Sequence, residues 1–165
     1  MHPYQQTAVE LARESAEEIF AALGPATKGG ADSQSFERAA VIGFVGEGIR
    51  GTLGIGMNDQ VRDELTPFGY DPTAWQQELA NQFVGRMKRK LMSHGLMVDV
   101  TLPMVLRGVR LELVDRRDPI AVFTIDHPGG AIATWLDVEL ERTTVLEITA
   151  DPEFQSAPEG ELILF

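Results

Sequence analysis

The residues whose types are best suited to chemistry lie close together in one segment, Gln77–Lys88. The segment carries a carboxylate at Glu78, a carboxamide at Asn81 and a glycine at Gly85. An α-helix turns about 100° per residue, so these three positions share one face of a helix. An acid and an amide next to a gap where another surface can approach are typical of a site presented to a partner.

The apolar residues of the same helix fall on the opposite side. They are Leu79, Ala80, Phe83, Val84, Met87 and Leu91. Glu78 and Asn81 are therefore not expected to satisfy hydrogen bonds in the core, and Lys88 falls beside Asn81 on the wheel. A glycine inside a helix costs about 1 kcal/mol relative to alanine, which an approaching surface would explain at Gly85. Exposed Glu and Asn are common, so the spacing alone also fits ordinary solvated side chains.

Composition predicts one globular domain. The chain has 165 residues, of which 44% are apolar and 24% charged, and it has no cysteine. A net charge of −11 disfavours nucleic-acid binding, because that class usually shows a basic patch. Neither a signal peptide nor an apolar run of about 18 residues is present, so we expect a cytoplasmic protein with no membrane partner.

The order of the predicted elements indicates an α+β fold. Helices are predicted over 4–23, from Asn58 or Asp59 to Leu65, and from an Asp71 N-cap to about Ser93. Residues 26–36 read as a loop. Strands are predicted over 40–45, 52–57, 96–102, 105–106, 109–114, 120–125, 132–139 and 143–149, and the loop over 150–161 leads to an apolar end at 162–165. This is a mixed α/β sandwich, with a mostly antiparallel sheet and the helices packed on one face.

The segment Gly46–Gly51 matches G-x-G-x-x-G, the dinucleotide fingerprint. That fingerprint needs a helix directly after it, whereas the residues that follow here read as another strand. The glycines are therefore assigned to a hairpin turn and close sheet packing. The three histidines, His2, His94 and His127, show no metal-ligand spacing, so no metal site is predicted.

A cluster of cations lies in the last turns of the long helix. It comprises Arg86, Lys88, Arg89 and Lys90. Such residues stabilise a helix C-terminus through its dipole. They would equally suit a face that meets an acidic partner.

The segment Glu78-Leu79-Ala80-Asn81-x-x-x-Gly85, late in a helix that follows a Gly-rich hairpin, resembles the CheX-type chemotaxis phosphatases of the CheC/CheX/FliY family. The likeness extends to Ile42–Met57, to the stretch Pro103–Gly108 and to the closing hairpin. It covers roughly residues 4–140.

The resemblance implies a phosphatase that dephosphorylates a CheY-type response regulator in chemotaxis or two-component signalling. Glu78 would form a salt bridge with the regulator's active-site lysine, and Asn81 would position the water that attacks the aspartyl phosphate. Gly85 and Lys88 would contact the partner. The chain would need no cofactor of its own, because Mg²⁺ would be held by the bound regulator, and a homodimer is possible.

Several features depart from the family pattern. One E-x-x-N motif is present, as in CheX, and Arg86 stands where a small or polar residue is usual. The domain is predicted to span 1–141, and 142–165 is predicted to be an extension that packs an extra strand on it. Two further functions stay open: a non-catalytic adaptor that binds a regulator or motor component, and a small-molecule sensory domain, which only the glycines suggest.

Overall fold

The computed structural model describes residues 2–29, 35–114 and 120–146. The helices are α1 (Gln5–Ile19), α2 (Asp59–Leu65) and α3 (Pro72–Ser93). The strands are β1 (Thr27–Gly29), β2 (Ser35–Gly46), β3 (Ile49–Met57), β4 (Val98–Val100), β5 (Met104–Glu112), β6 (Ala121–His127) and β7 (Gly130–Leu140). The predicted α+β class is confirmed.

The strands form one seven-stranded sheet in the order β1-β6-β7-β3-β2-β4, and β5 also pairs with β2. Every pairing is antiparallel. The long hairpins β2–β3 and β6–β7 lie side by side through the β3–β7 pairing, which makes the rigid centre of the sheet. No helix in the described ranges is both long and apolar enough to cross a membrane.

The main core lies between the sheet and the helices. Alternate residues of β2 and β3 point to it, including Ile42, Phe44, Leu53 and Ile55. Helix α1 contributes small residues, and α3 contributes Phe83 and larger apolar side chains. The prediction that the helices cover one face of the sheet is confirmed by this packing.

A second cluster lies on the opposite face of the sheet. The rings of Phe36 and Trp135 are stacked there, with centroids 5.4 Å apart and planes inclined by 8°. A Cβ atom at Gly54 would overlap the indole ring, and one at Gly56 would collide with the Phe36 ring. The glycines of β3 therefore make room for this aromatic pair, in agreement with their assignment to close sheet packing.

Within the segment Gly46–Gly51, Glu47 and Gly48 form a hairpin turn, and the remaining residues belong to β2 and β3. Gly48 occupies the turn with φ +72°, and β3 follows directly as a strand. In the β2–β3 ladder, Gly46 is opposite Ile49. The G-x-G-x-x-G sequence therefore lacks the following helix that a dinucleotide site requires.

Several predictions in the N-terminal half were wrong, including the start of β3, which is Ile49 instead of residue 52. Helix α1 ends at Ile19 rather than at residue 23, and Phe20 turns into the core. Within the predicted loop, residues 27–29 form β1, and β2 begins at Ser35 instead of residue 40. β1 exists because it pairs with β6, where Thr27 is opposite Thr124. A three-residue edge strand leaves no local pattern in the sequence.

The C-terminal half required further corrections. The strand predicted over 96–102 shortens to β4, and the two pieces around Arg107-Gly108 are one continuous strand, β5. The strand predicted over 143–149 is absent from residues 143–146, although Leu146 is buried in the main core. Residues 147–149, the loop at 150–161 and the apolar end at 162–165 lie outside the described residues.

The room at Gly54 gives a stability prediction. Gly54→Ala should lower the free energy of unfolding by about 3 kcal/mol, because the new methyl group overpacks against Trp135. Gly43→Ala is the matched control, since its Cβ would lie 3.3 Å from Thr101 Cγ2, and it should cost less than about 1 kcal/mol. Urea denaturation measures both, and equal losses would contradict the packing argument.

Candidate functional site

Helix α3 carries the candidate site, and local sequence fixes both of its ends. The Asp71 side chain accepts a hydrogen bond from the Ala74 amide at 2.8 Å, and Pro72 occupies the first helical position. At the other end, Gly95 has φ +83° and the amide of Leu96 donates to the Leu91 carbonyl at 2.9 Å. The predicted start and end of this helix are confirmed.

One side of α3 is buried against the sheet. The buried side chains include every apolar residue of the predicted stripe: Leu79, Ala80, Phe83, Val84, Met87 and Leu91. Glu78, Asn81 and Gly85 are not among them, and each is partly exposed. The helix therefore turns its acid, amide and glycine away from the core, as the wheel predicted.

The carboxamide of Asn81 has no hydrogen-bond partner among the residues that the structure describes. Most buried or half-buried side-chain amides are engaged by their own protein. A free amide at the surface of a rigid helix can donate and accept bonds from an outside group without first breaking an internal one.

Glu78 is held along the helix by a neighbour one turn later. The Gln82 Nε2 atom donates to Glu78 Oε1 at 3.4 Å, a long and weak hydrogen bond. No cation of the described residues forms an ion pair with the Glu78 carboxylate. Its charge is therefore available to a cation brought by another molecule.

Lys88 lies one turn from Gly85, on the wall of an open cleft. The cleft has a volume of about 570 Å³ and lies where the β2–β3 turn meets the segment after α3. Its lining also includes the acidic residues Glu47, Asp99 and Glu141. No hydrogen bond or ion pair to a described residue engages Lys88 itself. The structure thus extends the candidate face from Glu78 towards this cleft.

Arg86 and Lys90 of the cation cluster form ion pairs with α1. Arg86 Nη1 lies 3.2 Å from Glu18 Oε2, and Lys90 Nζ lies 2.8 Å from Glu18 Oε1 and 3.3 Å from Glu14 Oε2. These pairs join α3 to α1. Arg86, the departure from the family pattern, is therefore turned towards α1 rather than towards Asn81.

Gln76 is the residue of this helix that sequence reasoning missed. Its side chain is fully buried, and Nε2 donates to the Ile55 carbonyl of β3 at 3.1 Å. The Oε1 atom has no partner among the described residues. A polar residue in the middle of the apolar stripe, two positions before Glu78, was the available signal. Gln76 therefore ties the first turns of α3 to the backbone of β3.

Nothing in the described ranges gathers three or more His, Asp or Glu side chains in a geometry that could hold a metal ion. The candidate site is accordingly built of a carboxylate, a carboxamide and a glycine on one helix. The carboxylate can pair with a cation of another molecule, and the carboxamide can orient a bound group through hydrogen bonds.

The contribution of the Gln76 hydrogen bond to stability can be tested by replacing the side-chain amide with a carboxyl group. Gln76→Glu should lower the free energy of unfolding at pH 7 by about 3 kcal/mol, because a buried carboxylate cannot donate to the Ile55 carbonyl. The deficit should shrink as the pH falls, since protonation restores a donor. Gln77→Glu is the partly exposed control and should cost less than about 0.5 kcal/mol. Urea denaturation of both variants measures the difference, and equal losses would count against the anchor.

Comparison with solved structures identifies the fold. A chemotactic CheC-like protein from Shewanella oneidensis matches with a TM-score of 0.63 and 17% identity, over 81% of this chain and 96% of that one. The chemotaxis protein CheX from Vibrio vulnificus matches with a TM-score of 0.62 and 16% identity, over 82% and 99%. A chain of the CheX-CheY-BeF3-Mg²⁺ complex from Borrelia burgdorferi matches with a TM-score of 0.61 and 16% identity, over 84% and 99%.

No protein-family model matches this chain, and no curated protein matches it. The structural matches cover nearly the whole of each solved chain. The fold is thus that of the CheX-like and CheC-like chemotaxis proteins, which confirms at the level of fold the resemblance drawn from the Glu78–Gly85 segment.

Proposed function

We propose that this protein binds a CheY-type response regulator and hydrolyses its aspartyl phosphate. The observation that carries the proposal is the free carboxamide of Asn81, one turn from Glu78 on the partly exposed side of a rigid helix. The shared fold supports it, because one protein of this fold was solved as a CheX-CheY complex with BeF3 and Mg²⁺. Beryllofluoride has the geometry of a phosphoryl group on a carboxylate.

Glu78 is proposed to dock the regulator through an ion pair with the lysine of its phosphorylation site. The carboxylate is partly exposed, and its one described contact is the long bond from Gln82. Opposite charges that meet across an interface steer the encounter and fix its register. Glu78 would thereby fix the position of α3 over the regulator's site.

Asn81 is proposed to position the reaction. Its Oδ1 would accept a hydrogen bond from the attacking water, and its Nδ2 would donate to a phosphoryl oxygen. The water oxygen bonds to phosphorus as the bond from phosphorus to the aspartyl oxygen breaks, which leaves a free carboxylate and inorganic phosphate. Phosphoryl transfer of this kind depends on alignment and charge stabilisation more than on a strong base.

The side-chain type at position 81 fits that role. A carboxamide brings a donor and an acceptor without a negative charge, whereas a carboxylate would repel the phosphoryl oxygens. The Mg²⁺ ion that offsets the phosphate charge would be bound by acidic groups of the regulator. Gly85 would leave room for the regulator's surface, and Lys88 would meet an acidic group on it.

Asn81→Ala tests the catalytic assignment. The variant should slow the hydrolysis that wild-type protein adds to the regulator's own rate by about 10²-fold or more, because the aligned donor and acceptor are lost. Phosphate release from phosphorylated CheY-type regulators of the host measures the rate. Gln6→Ala removes an exposed amide from α1 instead of α3; it is the control and should keep the wild-type rate.

Two outcomes would contradict the proposal. Equal rates for wild type and Asn81→Ala would remove Asn81 from catalysis. Binding of a regulator by wild-type protein, with no acceleration of phosphate loss, would instead identify the protein as a non-catalytic adaptor.

Glu78→Lys tests docking separately from chemistry. The reversed charge should raise the dissociation constant for the regulator by about tenfold or more, because two cations then face each other across the interface. Turnover at saturating regulator should fall much less. Glu112→Lys makes the same charge change on β5 and should leave the affinity unchanged. Titration calorimetry with a beryllofluoride-activated regulator measures the affinities, and an unchanged value for Glu78→Lys would exclude the docking role.

A further inference from the structure

The turn that precedes α3 exposes two aromatic side chains. Phe68 is fully exposed and Tyr70 is 65% exposed. Every other aromatic residue in the described ranges is buried or partly buried. Single exposed apolar residues are normal on a protein surface, but two large aromatic rings two residues apart, Tyr among them, have the composition of an interface centre.

Backbone hydrogen bonds fix the turn that carries the two rings. The amide of Tyr70 donates to the Pro67 carbonyl at 3.1 Å, and Gly69 between the rings has φ +87°, which together describe a type II β-turn. The turn lies between two anchored helix ends. Thr66 donates its backbone and hydroxyl protons to the Arg62 carbonyl at 2.9 and 2.6 Å, and Asp71 caps α3. The backbone that carries the aromatic pair is therefore fixed before any partner arrives, which lowers the entropic cost of using the pair.

The turn lies at the N-terminal end of the candidate face. Tyr70 directly precedes the Asp71 cap, and a helix rises 1.5 Å per residue, so Glu78 lies about 10 Å along the axis and Asn81 about 15 Å. A protein interface of standard size covers roughly 800 Å² on each partner, about 30 Å across. A globular partner seated over Glu78 and Asn81 is therefore large enough to extend along α3 as far as the turn.

We infer that Phe68 and Tyr70 are the apolar anchors by which the response regulator docks, and that they set which regulator is accepted. This inference rests on the proposed function. The ion pair of Glu78 supplies register at one point, while the two rings supply the buried apolar area that an isolated ion pair lacks. The matching regulator presents an apolar hollow beside its phosphorylation site.

The test compares Phe68→Ala, Tyr70→Ala and the double variant with Val109→Ala. Val109 lies on β5 and is almost fully exposed, so its truncation removes exposed apolar surface from an element other than the turn. None of these side chains packs in a core, so all four variants should keep the wild-type melting temperature within about 2 °C. Affinity is measured by titration calorimetry against a CheY-type regulator activated with beryllofluoride and Mg²⁺, and turnover by phosphate release.

Each aromatic variant should raise the dissociation constant about tenfold, and the double variant about 10²-fold, while turnover at saturation stays within twofold of wild type. Val109→Ala should bind as wild type does. A double variant that binds as tightly as wild type, while wild type binds and hydrolyses, would overturn the aromatic anchors alone. If wild type binds none of the host's regulators, the proposed function and the anchors fail together. If wild type binds without hydrolysing, the catalytic assignment fails. The weaker binding expected of the aromatic variants would then still support the anchors, and unchanged binding would contradict them.

Discussion

The attachment of α3 to the sheet is the constraint on which the candidate site depends. The helix buries a continuous stripe around Phe83 and Met87, and Gln76 adds a directional hydrogen bond to the Ile55 carbonyl. Apolar packing is tolerant of small rotations, whereas a buried hydrogen bond specifies one. Together they fix which residues of the opposite side face outward. Glu78 and Asn81 face outward because the opposite side of the helix is packed against the sheet.

The two faces of the sheet contribute to that rigidity in different ways. The helix side is filled by aliphatic side chains from the strands, while the other side carries the Phe36–Trp135 stack over the glycines of β3. β3 is thus packed on both faces and paired on both edges, with β2 and β7. Because Gln76 bonds to the backbone of β3, the site helix is fixed to the part of the fold with the least freedom.

The features of this fold that sequence predicted are those with local causes. The ends of α3 follow from Asp71, Pro72 and Gly95, and its buried stripe follows from helical spacing. β1 was missed because it exists through pairing with β6, across 97 residues between Thr27 and Thr124. Such long-range pairings leave little trace in a window of neighbouring residues.

In the candidate site, too, the features with local causes were predicted and those that depend on other elements were missed. Helical periodicity placed Glu78, Asn81 and Gly85 on one side, which the structure bears out as partial exposure. The burial of Gln76 could be read from its place on the wheel, but its partner could not, because Ile55 belongs to another element. The ion pairs of Arg86 and Lys90 with α1 likewise depend on how two helices cross.

Those ion pairs bear on how the proposed docking works. Arg86 and Lys90 would place two positive charges within a few turns of Glu78, and unpaired they would offset its field. Because the α1 residues Glu14 and Glu18 neutralise them, these two cations do not offset the negative potential of Glu78. The ion pairs between α1 and α3 therefore have two effects. They hold α1 against α3. They also engage the charges of Arg86 and Lys90 within the fold, so that these charges are distinct from the one proposed to recognise a partner.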